Sequence, residues 1–295
     1  MCPNCLRSGF SVKAGCYRSR RRRRIQRFIC RACHRRYSTQ TQSLTYREKR
    51  PDLNAPLFKA LASGLSQRRC AEIFGISRIT VARKIVRMGR MARHALRTQA
   101  KERPAGDTVV FDEMETSEHT KMKPLSIALA VEDKTRRILA VEVASMPAKG
   151  RLAAKSRAKY GRRPDHRSVA MRALCREVKR ACPRLVRVKS DECPRYPKIV
   201  RRYLPGVEHT RRKGRRAAAI GLGELKKGGW DPLFSLNHTA AMYRDNLKTL
   251  ARRTWCTTKR PDRLQYLLYL YAWCHNQRLL GARIRDVGVP PYALW

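Results

Sequence analysis

The chain has 295 residues, 68 of them Lys or Arg against 22 Asp or Glu, for a formal charge of +46. Solubility needs far less than that, so the excess points to a polyanionic partner, nucleic acid first. Hydrophobic residues at 42% exclude a merely disordered basic tail, and no apolar run nears the roughly 18 residues of a membrane span. The longest such run lies around Leu267 to Trp273. The first residues are polar and cysteine-rich where a signal peptide would be apolar. Four of the eleven cysteines fall in two C-x2-C pairs, which favours bound metal in a reducing, cytoplasmic setting over a disulfide scaffold.

Residues 1–50 carry fifteen Lys or Arg and one acid, Glu48. Cys2 and Cys5 are separated by 24 residues from Cys30 and Cys33, a spacing that can close one tetrahedral zinc site at the tips of two knuckles. The arginine run Arg20 to Arg24 would project between them toward phosphates. So small a ribbon lacks a core, and metal would supply its folding energy.

Residues 51–90 read as three short helices: one from Asn54 to a Gly64 stop, one capped by Ser66, and one capped by Ser77 after the turn at Gly75. Helix, glycine turn, helix is the helix-turn-helix pattern. Arg78, Thr80, Arg83, Lys84 and Arg87 are then the outward residues suited to a major groove. Residues 91–106, basic and ending Arg-Pro-Ala-Gly, read as a linker.

From residue 107 the pattern becomes α/β. Thr108 to Glu115, Leu125 to Val131 and Ile138 to Ala144 are β-branched, apolar segments spaced as a three-strand meander. A basic connection (147–164), a helix (169–181), a strand (Leu185 to Lys189), a helix (197–203) and a strand (Val207 to Thr210) follow. The segment 211–231 is a Gly-, Lys- and Arg-rich insertion, and the C-terminal part is helical, Leu236 to Thr254 and Arg263 to about His275. Trp230, Trp255 and Trp273 read as core or lid aromatics rather than base-stacking platforms.

Acids are scarce, yet five of the 22 fall between residues 107 and 118. A cluster of negative charge repels DNA unless a cation neutralises it. Asp112 lies on the first strand of the meander and Asp191 just past the fourth strand, and strand ends are where α/β sheets gather ligands. Together they could hold Mg²⁺ or Mn²⁺ beside a phosphodiester, or each could be an ordinary turn residue. On the helix from Leu236, Asn237, Arg244 and Lys248 share a face: a neutral oxygen ligand followed by cations for the DNA backbone, or alternatively a cap followed by a solvated basic face.

The four-cysteine ribbon, the helix-turn-helix, Asp112-Glu113 on a strand, Ser190-Asp191 with Tyr196 five residues on, and Arg244-x5-Leu-Ala-Arg-Arg-Thr with Lys259 make a set. Over nearly its whole length the chain resembles the insertion-sequence-one family of transposases. The resemblance implies a ribonuclease-H-like catalytic domain over 107–295, with an acidic triad and two catalytic metal ions. It also implies binding of double-stranded DNA at terminal inverted repeats and target, and homo-oligomers on DNA at the nucleoid. Counting back from Arg244, the family's glutamate falls at Asn237. Asn237 could be the native third ligand, Glu208 or Glu224 could replace it, or the chain could bind DNA without cutting it. A non-catalytic regulator or repressor is therefore the alternative reading. An RNA-binding protein would explain the charge but not the acidic strand.

Overall fold

A computed structural model of the chain describes residues 1–18, 24–41, 46, 48–213, 231–251 and 254–291. Met1–Leu53 form one compact unit and Asn54–Pro291 another. In the smaller unit, β1 (Ser11–Arg18), β2 (Arg24–Cys30) and β3 (Arg36–Ser38) make an antiparallel sheet in that order. Its buried residues among those described are Cys2, Ile25, Cys30 and Ser38. That is no hydrophobic core. Of the arginine run, Arg24 opens β2, and positions 20–23 lie outside the described residues.

The larger unit begins with α1 (Asn54–Ala62), α2 (Gln67–Ile73) and α3 (Arg78–Glu102). Ser66 Oγ accepts the N–H of Arg69 at 3.3 Å and Ser77 Oγ that of Thr80 at 3.1 Å, satisfying donors that a helix start leaves open. Gly75, at φ +59°, makes the turn between α2 and α3, in the left-handed region where a side chain is strained. The stretch 91–106 read as a linker is instead helical as far as Glu102. Met91, Ala92 and Ala95 continue the buried stripe of Val81, Ile85 and Met88, so packing carries the helix on until Pro104 forbids it.

The sheet of this unit comprises β4 (Thr108–Ser117), β5 (Pro124–Glu132), β6 (Ile138–Ser145), β7 (Arg187–Ser190) and β8 (Glu208–Arg211). Its order is β6-β5-β4-β7-β8; the first three strands form an antiparallel meander, while β7 runs parallel to β4 and β8 parallel to β7. The parallel steps need crossovers, and α5 (Arg167–Ala181) and α6 (Tyr196–Tyr203) supply them. A short helix, α4 (Leu152–Tyr160), lies in the segment read as a basic connection; only Ser156 on it is buried, so it has no apolar stripe to read.

Seven consecutive residues of β5, from Leu125 to Val131, are buried, because both faces of the sheet are covered. Val109, Phe111, Ala128 and Ala130 face α5 and α6. Val110, Met114, Ile127 and Leu129 face a core shared with α1–α3 and with α7 (Phe234–Asn246) and α8 (Pro261–Leu279). The first three helices and the sheet are thus one packed body rather than two domains on a tether. At the crossing of α3 and α8, Gly89 lies directly on the Tyr266 backbone.

The outer side of β6 is closed by α8. Gln265 accepts from Val143 N–H and donates to Val141 O, both at 2.7 Å, and Asn276 accepts from Ile138 N–H and donates to Ile138 O, both at 2.9 Å. Two side-chain amides therefore stand in for a neighbouring strand. The helix expected over Leu236 to Thr254 breaks at Leu247, which is extended, with a 3-10 turn over Lys248–Leu250. Asn246 bonds back to Met242 O at 2.9 Å, and Leu247 and Leu250 turn into the core.

Candidate functional site

In the smaller unit, Cys2 and Cys30 each begin a knuckle of the same design. Leu6 N–H bonds to Cys2 O and His34 N–H to Cys30 O; Cys2 N–H reaches Arg7 O and Cys30 N–H reaches Arg35 O. The repeated turn brings the sulfurs of Cys2, Cys5, Cys30 and Cys33 within 4.8 Å of one another. The Cys2–Cys33 and Cys5–Cys30 sulfur separations are 3.7 and 3.6 Å, matching the ~3.8 Å edge of a tetrahedron with zinc-to-sulfur bonds of ~2.3 Å. The Arg35 N–H draws the Cys33 thiol down to about 6, while burial and the neighbouring cysteines push Cys5 up to about 11, so the four sulfurs do not ionise together without a cation among them. These four cysteines could hold a metal such as zinc. A strong chelator is expected to release one equivalent of metal from the full chain, free four thiols to a colorimetric reagent, and leave the melting of the larger unit unchanged. Thiols that stay protected after chelation would count against a metal-built fold.

In the larger unit, β4 and β7 pair in parallel with Thr108 opposite Arg187, Val109 opposite Val188 and Val110 opposite Lys189. The pairing ends there; two residues further on, Asp112 on β4 and Asp191 just past β7 lie near enough for their charges to repel. Asp112 Oδ1 accepts from Tyr196 Oη at 2.8 Å and from Glu113 N–H at 2.7 Å. Asp191 Oδ1 accepts from Cys193 N–H at 2.9 Å, a turn that leads into α6 and so delivers Tyr196. Ser190, fully buried, holds the strand end by donating to Asp191 O and meeting His209 Nε2, both at 2.8 Å.

Burial, and then the charge of Asp191, push the Asp112 carboxyl up to about 6. Among the described residues neither aspartate takes part in an ion pair. Their neighbour Glu113 does: it points to the opposite face of the sheet, bonded to Arg195 and accepting from Ser126 Oγ at 2.8 Å. Two half-buried acids side by side, in a chain this cationic, form a site with unmet demand for positive charge. Both offer hard oxygen donors, the chemistry Mg²⁺ and Mn²⁺ prefer.

The other sequence candidates are placed differently. Asn237 is exposed, and its amide donates to Asp231 Oδ2 at 2.8 Å rather than to either aspartate. Asp231 also accepts from Leu233 N–H at 3.0 Å, so Asn237 helps lock the first turn of α7; it is the fourth residue of that helix, whose cap is Leu233, and so is not the capping asparagine either. Glu208 pairs with Arg187 at 2.8 Å at the start of β8, the far end of the sheet from Asp191, so it cannot supply a third ligand. Glu224 lies outside the described residues.

On α3, Arg78 and Arg83 are exposed, and Thr80 and Arg87 are half-buried. Lys84 corrects the reading: it is buried, its Nζ donating to Asn54 Oδ1 at 2.6 Å, because it flanks the stripe of Val81, Ile85 and Met88 that packs inward. Arg244, half-buried near the end of α7, shares a face of that helix with Asn237 as expected, whereas Lys248 is exposed beyond the break and leaves it. Tyr196, noted in the sequence only beside Asp191, is the buried residue that ties α6 to Asp112. Trp255 is neither core nor lid but fully exposed, while Trp273 is half-buried with its indole N–H on Gly288 O at 3.3 Å. Among the described residues no helix is long and apolar enough to cross a membrane.

Neither the models of known protein families nor the curated proteins give a match to this chain.

Proposed function

We propose that the chain is a DNA transposase that binds the ends of its element and cuts phosphodiesters at a divalent cation held by Asp112 and Asp191. The observation that carries this is the pair itself: one carboxylate in the middle of β4 and one just past the end of the neighbouring β7, without an ion-pair partner among the described residues, in a chain of charge +46. Magnesium or manganese there would supply Lewis acidity at the scissile phosphate. Tyr196 and the Glu113 N–H orient Asp112 by holding one of its oxygens, leaving the other to face the cation. The sheet order, with a meander followed by two parallel strands, supports a ribonuclease-H-like reading of the larger unit. The exposed arginines at the start of α3 support a major-groove role for α2 and α3, and the cysteine knuckles with their basic sheet would add phosphate contacts. The partners in this reading are double-stranded DNA at the nucleoid and further copies of the chain.

A regulator that binds DNA without cutting it is the competing reading, favoured by Asn237 facing Asp231. The test is nicking of a duplex bearing the element's own ends, with and without magnesium. Metal-dependent nicking that disappears in Asp191→Ala, with end binding retained, is expected. Absence of nicking at any magnesium or manganese concentration, or nicking that survives the substitution, rules the catalytic assignment out.

A further inference from the structure

We propose that Trp255 is a base-stacking contact, taking an unpaired or extruded nucleotide of the DNA strand that runs past Asp112. The relative exposure of Trp255 is 102%, so no neighbour among the described residues covers its indole. Single exposed apolar side chains are common on protein surfaces, so exposure alone selects no partner; what points to one is an indole presented on a hydrogen-bonded turn in a strongly cationic chain.

The loop that carries it is built rather than loose. Thr254 Oγ1 accepts the N–H of Cys256 at 3.0 Å, a turn that closes around Trp255 and presents it at the tip. Further along, His119 N–H donates to Thr258 O at 2.7 Å, Thr257 Oγ1 meets His119 O at 3.4 Å, and Glu118 bridges Thr258 in parallel. These bonds pin the loop to the chain just past the end of β4, the strand that bears Asp112. Glu118 is six positions beyond Asp112, roughly 20 Å along an extended strand. At about 3.4 Å per nucleotide that is about six nucleotides, a reach within one bound DNA end.

Charge complementarity selects nucleic acid over an apolar protein surface. In the chain, exposed Lys259 and Arg260 follow the tip, Arg260 being paired with Asp262 at 2.9 Å. Cations that track a backbone, beside an aromatic that takes a base face, are the arrangement of single-strand binders, and stacking is indifferent to base identity. The inference rests on the DNA reading above but not on cleavage.

The experiment measures binding of a twenty-nucleotide oligothymidylate to the full chain in the absence of magnesium, for wild type, Trp255→Phe and Trp255→Ala. About a tenfold or greater loss is expected for Trp255→Ala, with most affinity kept by Trp255→Phe and an unchanged slope of affinity against salt, since no phosphate contact is removed. The emission lost in Trp255→Phe isolates the signal of this residue, and oligothymidylate should shield that signal from acrylamide. Removing a side chain that packs on nothing leaves folding intact, which circular dichroism checks. Affinity unchanged in Trp255→Ala, an unshielded indole at saturation, or no oligothymidylate binding by wild type overturns the inference. So does a change in self-association at constant oligothymidylate affinity, which marks a protein contact. A chain that never cuts DNA but shows the Trp255 effect loses the transposase reading and keeps this one.

Discussion

Asp112→Asn is expected to abolish magnesium-dependent cleavage and, in the metal-free protein at neutral pH, to raise stability rather than lower it. The Asp112 carboxyl is pushed from 3.8 to about 6 by burial and by Asp191. The folded chain therefore binds the proton more tightly than the unfolded chain. Stability falls as pH rises through that window, and the full penalty of the ionised form is present above about 6. At 1.36 kcal/mol per unit the shift is worth about 3 kcal/mol, and nearer 2 kcal/mol for a half-buried group that solvent partly screens. Asparagine keeps an oxygen for both Tyr196 and the Glu113 N–H while carrying no charge. Melting curves of the two proteins without magnesium should coincide near pH 4 and separate by roughly 4–8 °C above pH 6.5, the variant being the more stable. A less stable variant at pH 7.5 would mean that Asp112 serves the fold and not a cation.

Gly89→Ala should cost the larger unit about 3 kcal/mol. A Cβ at this position would fall 2.5 Å from Tyr266 Cβ, 2.7 Å from its carbonyl oxygen and 2.8 Å from its Cα. Two of those atoms are backbone of α8, so no rotamer change relieves the contact and the helices must separate. Overpacking of that kind outweighs the roughly 1 kcal/mol that alanine returns as a better helix former. A fall in melting temperature of about 6–12 °C is the expected reading. Gly288→Ala, where nothing lies within 4 Å, is the matched control and should change little. Equal melting of the two variants would mean that α3 does not seat on α8 as described.

Much of this was legible in the sequence because strand chemistry is local. The β-branched runs at 108–115, 125–131 and 138–144 stand out between polar turns and fall within strands only one or two residues longer, and scarce acids in a basic chain made Asp112 and Asp191 conspicuous. The cysteine spacing likewise encodes its own cluster. What stayed hidden depends on partners distant in sequence. Lys84 is buried with its ammonium donating a hydrogen bond to Asn54, thirty residues away. The extension of α3 through Glu102 follows from α8, and arginines interleaved with Met91, Ala92 and Ala95 masked the stripe. Asn237 shares a face of α7 with Arg244, but the break at Leu247 carries Lys248 off that face, and Asn237 turns to Asp231. Exposure of Trp255 is a property of a loop pinned to β4, and no pattern of residue types announces it.

Gln265 and Asn276 also bear on how copies of this chain could assemble. With the margin of β6 occupied by amides from its own helix, a second molecule finds no open ladder there to extend. Growth of a continuous intermolecular sheet from that side is blocked, and copies that do associate would have to use helical or loop surfaces, the four-residue margin of β8, or the β1 and β3 margins of the smaller sheet.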